Sequence, residues 1–117
     1  MNSSITISKL RKDYPLCYAE LMKQGAGGFS DIYSALDSIL HRFGIGVLAH
    51  PIHSDRTGKL IGHTSTLKIY PDNPIKRDAC ELTCIEDFRK FKTLDKAKKV
   101  SFMAGLDMLE EYLIRAI

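Results

Sequence analysis

The stretch that most limits the fold is Phe91 to Ile117, which opens as a capped basic turn and runs into a long apolar helix. Thr93 is placed to cap, its hydroxyl accepting from an orphan amide of the first turn, and Asp95 sits where the helix dipole favours an anion. From Val100 to Leu109 the residues are apolar nearly all round, with Asp107 the only charge. A helix covered by one layer would leave much of that surface wet, so something packs on a second side. Continued to about Ala116, the helix has roughly 23 residues and a length of about 35 Å. In so small a domain the surplus falls to the N-terminal helix or to another copy of the chain.

Upstream, Ile7, Leu10, Tyr14, Cys17, Tyr18 and Leu21 recur at three and four, an amphipathic pattern interrupted by Pro15. An interior proline costs a helix about 3 kcal/mol or more, which predicts a kinked helix or two short ones. Gly25-Ala26-Gly27-Gly28 then breaks the chain, and Ser30 is placed to cap a helix over Asp31 to Arg42. Its buried face is Ile32, Leu36, Ile39 and Phe43, and Gly44 stops it. Glycines before a helix suggest a phosphate cradle, but no strand precedes them, no Gly-Lys-Ser/Thr follows and Asp31 repels an anion, so they read as a hinge.

After Gly44 the period changes to two. Ile45 to His53 and Leu60 to Tyr70 read as a β-hairpin around Ser54 to Lys59, and Ala79 to Glu86 as a third strand. A register symmetric about the turn puts Leu48, His50, Ile52, Ile61, His63, Ser65, Leu67 and Ile69 on the core face. Cys80, Leu82 and Cys84 point inward on the third strand, with Glu81 and Thr83 outward. The predicted order is helix, helix, three antiparallel strands, helix: an α+β two-layer sandwich with helices on one face of the sheet. It forms a single domain over 1–117, with an N-terminal helical segment and glycine hinge over 1–28 and an αβββα core over 29–117.

A chain of 117 residues holds its own core without disulfides or a metal. Cys80 and Cys84 lie roughly 13 Å apart along a strand, too far to bridge, so the three cysteines read as reduced core thiols. With no signal-peptide pattern and no apolar run long enough to span a bilayer, the expected setting is cytoplasmic, without membrane contact.

The net charge of +3 is mild, but its distribution is uneven: Lys90, Lys92, Lys96, Lys98 and Lys99 crowd the start of the last helix. Such a cluster is either a solvated helix face or a phosphate-binding surface. In the symmetric register His50 and His63 are cross-strand neighbours, a weak candidate metal pair with His53 and Asp55 near by. The alternative is polar histidines near a hairpin tip. Gly105 sits mid-helix, where glycine costs about 1 kcal/mol relative to alanine and needs a reason. With Ser101 and Met108 it forms a stripe on which another helix can approach, from this chain or from a second copy, the second copy being the expectation in a homodimer.

Ala79 to Leu113 resembles the second half of a double-stranded-RNA-binding domain, where a last strand leads through a basic loop into a lysine-rich helix start. Lys96-Ala97-Lys98-Lys99 stands at the position of that motif, with Ala104 and Leu109 behind it. The resemblance implies an αβββα fold and lysines that contact phosphates across the groove. The chain differs from the family in lacking the Gly-x-Gly before the motif and the Gly-Pro-x-His element between the first two strands. Phe91-Lys92-Thr93-Leu94-Asp95-Lys96-Ala97 and Arg42-Phe43-Gly44-Ile45 also resemble segments of short Bacteroidetes and phage proteins of unknown function, which implies a mobile-element origin.

No catalytic motif or cofactor signature is present, so the leading expectation is a non-enzymatic binding module meeting phosphate on nucleic acid. The second is a homo-oligomeric protein-interaction module, such as a phage-encoded inhibitor or regulator of a host protein. A small hydrolase or metal site around His50 and His63 ranks third.

Overall fold

Pro15 divides the N-terminal pattern into two helices. In the computed structural model, which describes residues 5–23 and 32–116, α1 spans Ile7–Asp13 and α2 spans Pro15–Lys23. Proline offers no N–H to a preceding turn but suits the first helical position, so the break falls immediately before it. Thr6 caps α1 by accepting from the Lys9 amide at 3.1 Å. α3 spans Ile32–Arg42 and buries Ala35, Leu36, Ile39 and Leu40. It stops at Gly44, whose φ of +79° favours glycine and where a Cβ would lie 2.2 Å from that of Asn73. The expected cap at Ser30 and the hinge at Gly25 to Gly28 lie outside the described residues.

One antiparallel sheet follows, β1 (Ile45–His53), β2 (Leu60–Ile69) and β3 (Cys80–Thr83), in that order across the sheet. A single 3-10 turn, Phe88–Lys90, leads to α4, Leu94–Ala116. The expected α+β arrangement is therefore present, with α3 and α4 on the sheet face that carries Ile45 and Leu67.

The hairpin register departs from the symmetric one. At the tip His53 pairs with Leu60, as symmetry predicts, but the next pair is Ile52 with Gly62, and a bulge takes up Ile61. Because side chains alternate, that one extra residue turns all of β1 over relative to β2. Ile45, Val47, Ala49 and Pro51 thus face the helices opposite Ile69, Leu67, Ser65 and His63. Leu48, His50 and Ile52 lie on the open face, and His50 pairs with Thr64. The proposed His50–His63 pair is corrected accordingly: His63 is buried on the helix side and His50 is exposed on the other.

β3 needs a second correction. Its alternation is as expected, since Cys80 and Leu82 pair with the inward Ile69 and Leu67. Neither is buried by the described residues: Cys80 is exposed and Leu82 is 44% exposed, and of the three free thiols Cys17 is the one in the core.

α4 is covered on two sides. Toward the sheet, Ala97, Ser101 and Gly105 are buried, and a Cβ on Gly105 would sit 3.1 Å from Leu40 Cδ1 and 3.3 Å from Leu67 Cδ1. The stripe expected to receive a second copy is thus filled at Ser101 and Gly105 by the chain's own sheet and α3. Met108 lies half-buried outside that contact. On another side α2 packs along Leu106 to Glu110, where the Glu110 carboxylate accepts from the Leu16 and Cys17 amides and Asp107 accepts from the Tyr14 hydroxyl at 2.7 Å.

Candidate nucleic-acid interface

The segment from β3 into α4 is held against the tip-ward half of β2 by three successive anchors. Gly62 lets the turn approach: a Cβ there would lie 2.4 Å from the Phe88 carbonyl oxygen. His63 Nδ1 is 3.0 Å from the Phe91 carbonyl, which can only accept, so that nitrogen carries a proton. Ser65 Oγ donates to the Ala97 carbonyl at 2.7 Å and also meets the Ser101 hydroxyl. These buried polar groups satisfy backbone carbonyls and one another, which fixes the first turns of α4 on the sheet.

Helical geometry then decides where the lysines go. Ala97 and Ser101 point to the sheet, so Lys96, Lys98 and Lys99 fan around the remaining sides of the first two turns. Lys90, Lys92, Lys96 and Lys98 are exposed and Lys99 is half-buried. Thr93 caps the helix as expected, accepting from the Lys96 amide at 3.2 Å, with Asp95 in the first turn. Among the described residues none of the five lysines forms an ion pair. Asp87 is engaged instead by Arg89 at 3.0 Å. The Arg89 side-chain bond, then its backbone amide, hold the Asp87 carboxyl below the usual range.

Two further cations belong to this end. Because Gly62, His63 and Ser65 run under the segment 88–97, the hairpin tip projects beyond the same end of the sheet and carries exposed Arg56 and Lys59. Ser54 shapes that turn, its hydroxyl accepting from the Arg56 amide at 3.2 Å and the Thr57 amide at 3.3 Å. The bonds of His63 and Ser65 set the tip-ward half of β2 against the helix start, and no local pattern encodes them.

A cleft of about 350 Å³ between α3 and α4 is lined by Tyr33, Asp37, Lys98 and Phe102, so an acid shares the surroundings of one lysine. Among the described residues no cluster of three or more His, Cys, Asp or Glu side chains is arranged to hold a metal ion. None of their helices is long and apolar enough to cross a membrane.

No protein-family model, no curated protein and no solved structure matches this chain.

Proposed function

We propose that the chain is a non-enzymatic binding module that meets the phosphates of a nucleic acid through the basic start of α4. One observation carries the reading: Lys90, Lys92, Lys96, Lys98 and Lys99 converge on one end with no ion-pair partner among the described residues. Unpaired ammonium groups on a rigid element recover Coulomb energy from a polyanion without first breaking internal pairs. The resemblance of Ala79 to Leu113 to a double-stranded-RNA-binding domain makes an RNA duplex the first ligand to try. A mobile-element origin, implied by the Bacteroidetes and phage resemblance, and a cytoplasmic setting are part of the same proposal.

Anisotropy of labelled RNA and DNA duplexes, titrated at several salt concentrations, tests the reading. Counterion release predicts that log K falls with log salt by about 0.9 per phosphate neutralised, so three to five such phosphates give a slope between about −2.7 and about −4.5. Absence of binding at low salt, or binding insensitive to salt, would overturn it.

A second reading, a homo-oligomeric interaction module or an inhibitor or regulator of a host protein, is favoured by a different observation. An apolar groove of about 400 Å³ opens between β3 and α4.

A further inference from the structure

The groove and the free edge of β3 are one surface. Leu82 and Cys84 form its sheet side, and Val100, Met103 and Met108 its helix side. This is the third side of α4, the part of its apolar surplus that neither the sheet nor α2 covers. No described element lies beyond β3.

Backbone geometry says what can occupy that edge. The Cys84 amide bonds the Ser65 carbonyl at 2.8 Å, so Cys80, Leu82 and Cys84 turn their backbone groups toward β2. Glu81 and Thr83 therefore turn theirs outward. The opposite edge is protected: the Tyr70 amide bonds the Gly44 carbonyl, which puts the donor missing from Pro51 on the outer side of β1. β3 carries no proline.

We propose that β3 pairs antiparallel with β3 of a second copy, about a two-fold axis at Leu82, joining the two sheets and closing the two grooves over each other. The pairing is self-complementary. Leu82 meets the partner's Leu82 and Cys80 meets the partner's Cys84, all on the groove face. Glu81 meets the partner's Thr83 on the open face, through the backbone groups that point outward. A two-fold at Glu81 would oppose two carboxylates, and one at Thr83 would set Glu81 against Ile85, past Cys84, whose amide still bonds the Ser65 carbonyl of β2. An isologous contact of this kind closes at two copies. Methionines on the helix side suit a face that must repack against its own copy.

Leu82 and Cys80 then fall in non-hydrogen-bonded pairs, where side chains are closest. Cys80 and the partner's Cys84 are placed to form a disulfide if an oxidant such as diamide removes two protons and two electrons from each thiol pair. The inference is independent of the nucleic-acid reading, since none of its residues is a lysine of α4.

The test is sedimentation of the full chain at tens of micromolar in reducing buffer, with diamide cross-linking read on non-reducing gels. A wild-type dimer is expected, with a covalent dimer after oxidation that is absent in both Cys80→Ser and Cys84→Ser. Leu82→Lys should sediment as a monomer with unchanged circular dichroism. Thr83→Pro removes an outward donor while sparing the β2 ladder, and should do the same should the lysine variant fail to fold. A monomeric wild type would overturn the proposal, including one that binds some other protein at the groove. So would a dimer that persists in Thr83→Pro, or a cross-link that survives in either cysteine variant.

Discussion

The Glu110 carboxylate accepts from the Cys17 amide at 2.9 Å, closing the N-terminus of α2 from 93 residues away. It also accepts from the Leu16 amide at 3.1 Å. Pro15 has no N–H, so these are the first orphan donors of the helix, and a buried side chain of α4 satisfies both. This cap, with the Tyr14–Asp107 bond, orders the N-terminal helices on α4.

Glu110→Ala leaves two donors without their acceptor and should cost about 1–3 kcal/mol in urea unfolding. Glu110→Gln keeps one acceptor and should cost less. An unchanged midpoint in the alanine variant would show that α2 is held by apolar contact alone.

Burial, then the charge of Glu110, push the Cys17 thiol well above its ordinary value of 9.0. The folded thiol stays protonated where the unfolded one ionises. Its stabilisation is therefore complete below about pH 9 and declines as the pH rises further. Tyr14 is shifted upward too, by burial and by its bond to Asp107, and adds to the decline at still higher pH. The melting temperature should fall from about pH 9 to about pH 11, and fall less steeply in Cys17→Ala. Parallel curves would contradict the assignment. Iodoacetamide should spare Cys17 until the protein unfolds.

Gly105 reports on which surface α4 uses. A leucine there meets Leu40, Leu67 and Ile45 of the same chain, so Gly105→Leu should lose about 1–3 kcal/mol or more through overpacking. The association state should not change below the unfolding transition. Dissociation of a dimer in a variant of undiminished stability would return the interface to this stripe.

These positions separate what local chemistry reveals from what it hides. Thr93, Pro15 and Gly44 each act through their own backbone or hydroxyl, so the helix limits they set are readable from neighbouring residues. The bulge at Ile61 is not: any apolar residue can be the extra one, and the choice depends on which face of β1 the helices cover. The alternation of Cys80, Leu82 and Cys84 was legible. The exposure of Cys80 and Leu82 was not, because it depends on how far the helical layer extends beneath the third strand. The lysines of the candidate site form a run and were legible too, whereas the bonds from His63 and Ser65 that seat the start of α4 on β2 were not.

Gly62 tests whether the anchored turn positions the lysines. Gly62→Ala forces a Cβ toward the Phe88 carbonyl, a backbone atom that can yield only by moving the turn. Weaker binding of an RNA duplex is expected, by a factor larger than any loss of folded fraction explains. Unaltered affinity would show that Lys90 and Lys92 do not contribute.

Charge reversal at the helix start measures the central claim most directly. The triple variant Lys96→Glu, Lys98→Glu, Lys99→Glu alters side chains outside the core and should leave circular dichroism unchanged. Its affinity for an RNA duplex at low salt should collapse, and the salt slope of any residual binding should shrink by about 0.9 for each phosphate that the variant no longer neutralises. Binding equal to wild type, with the same slope, would contradict the account and remove the start of α4 from the interface.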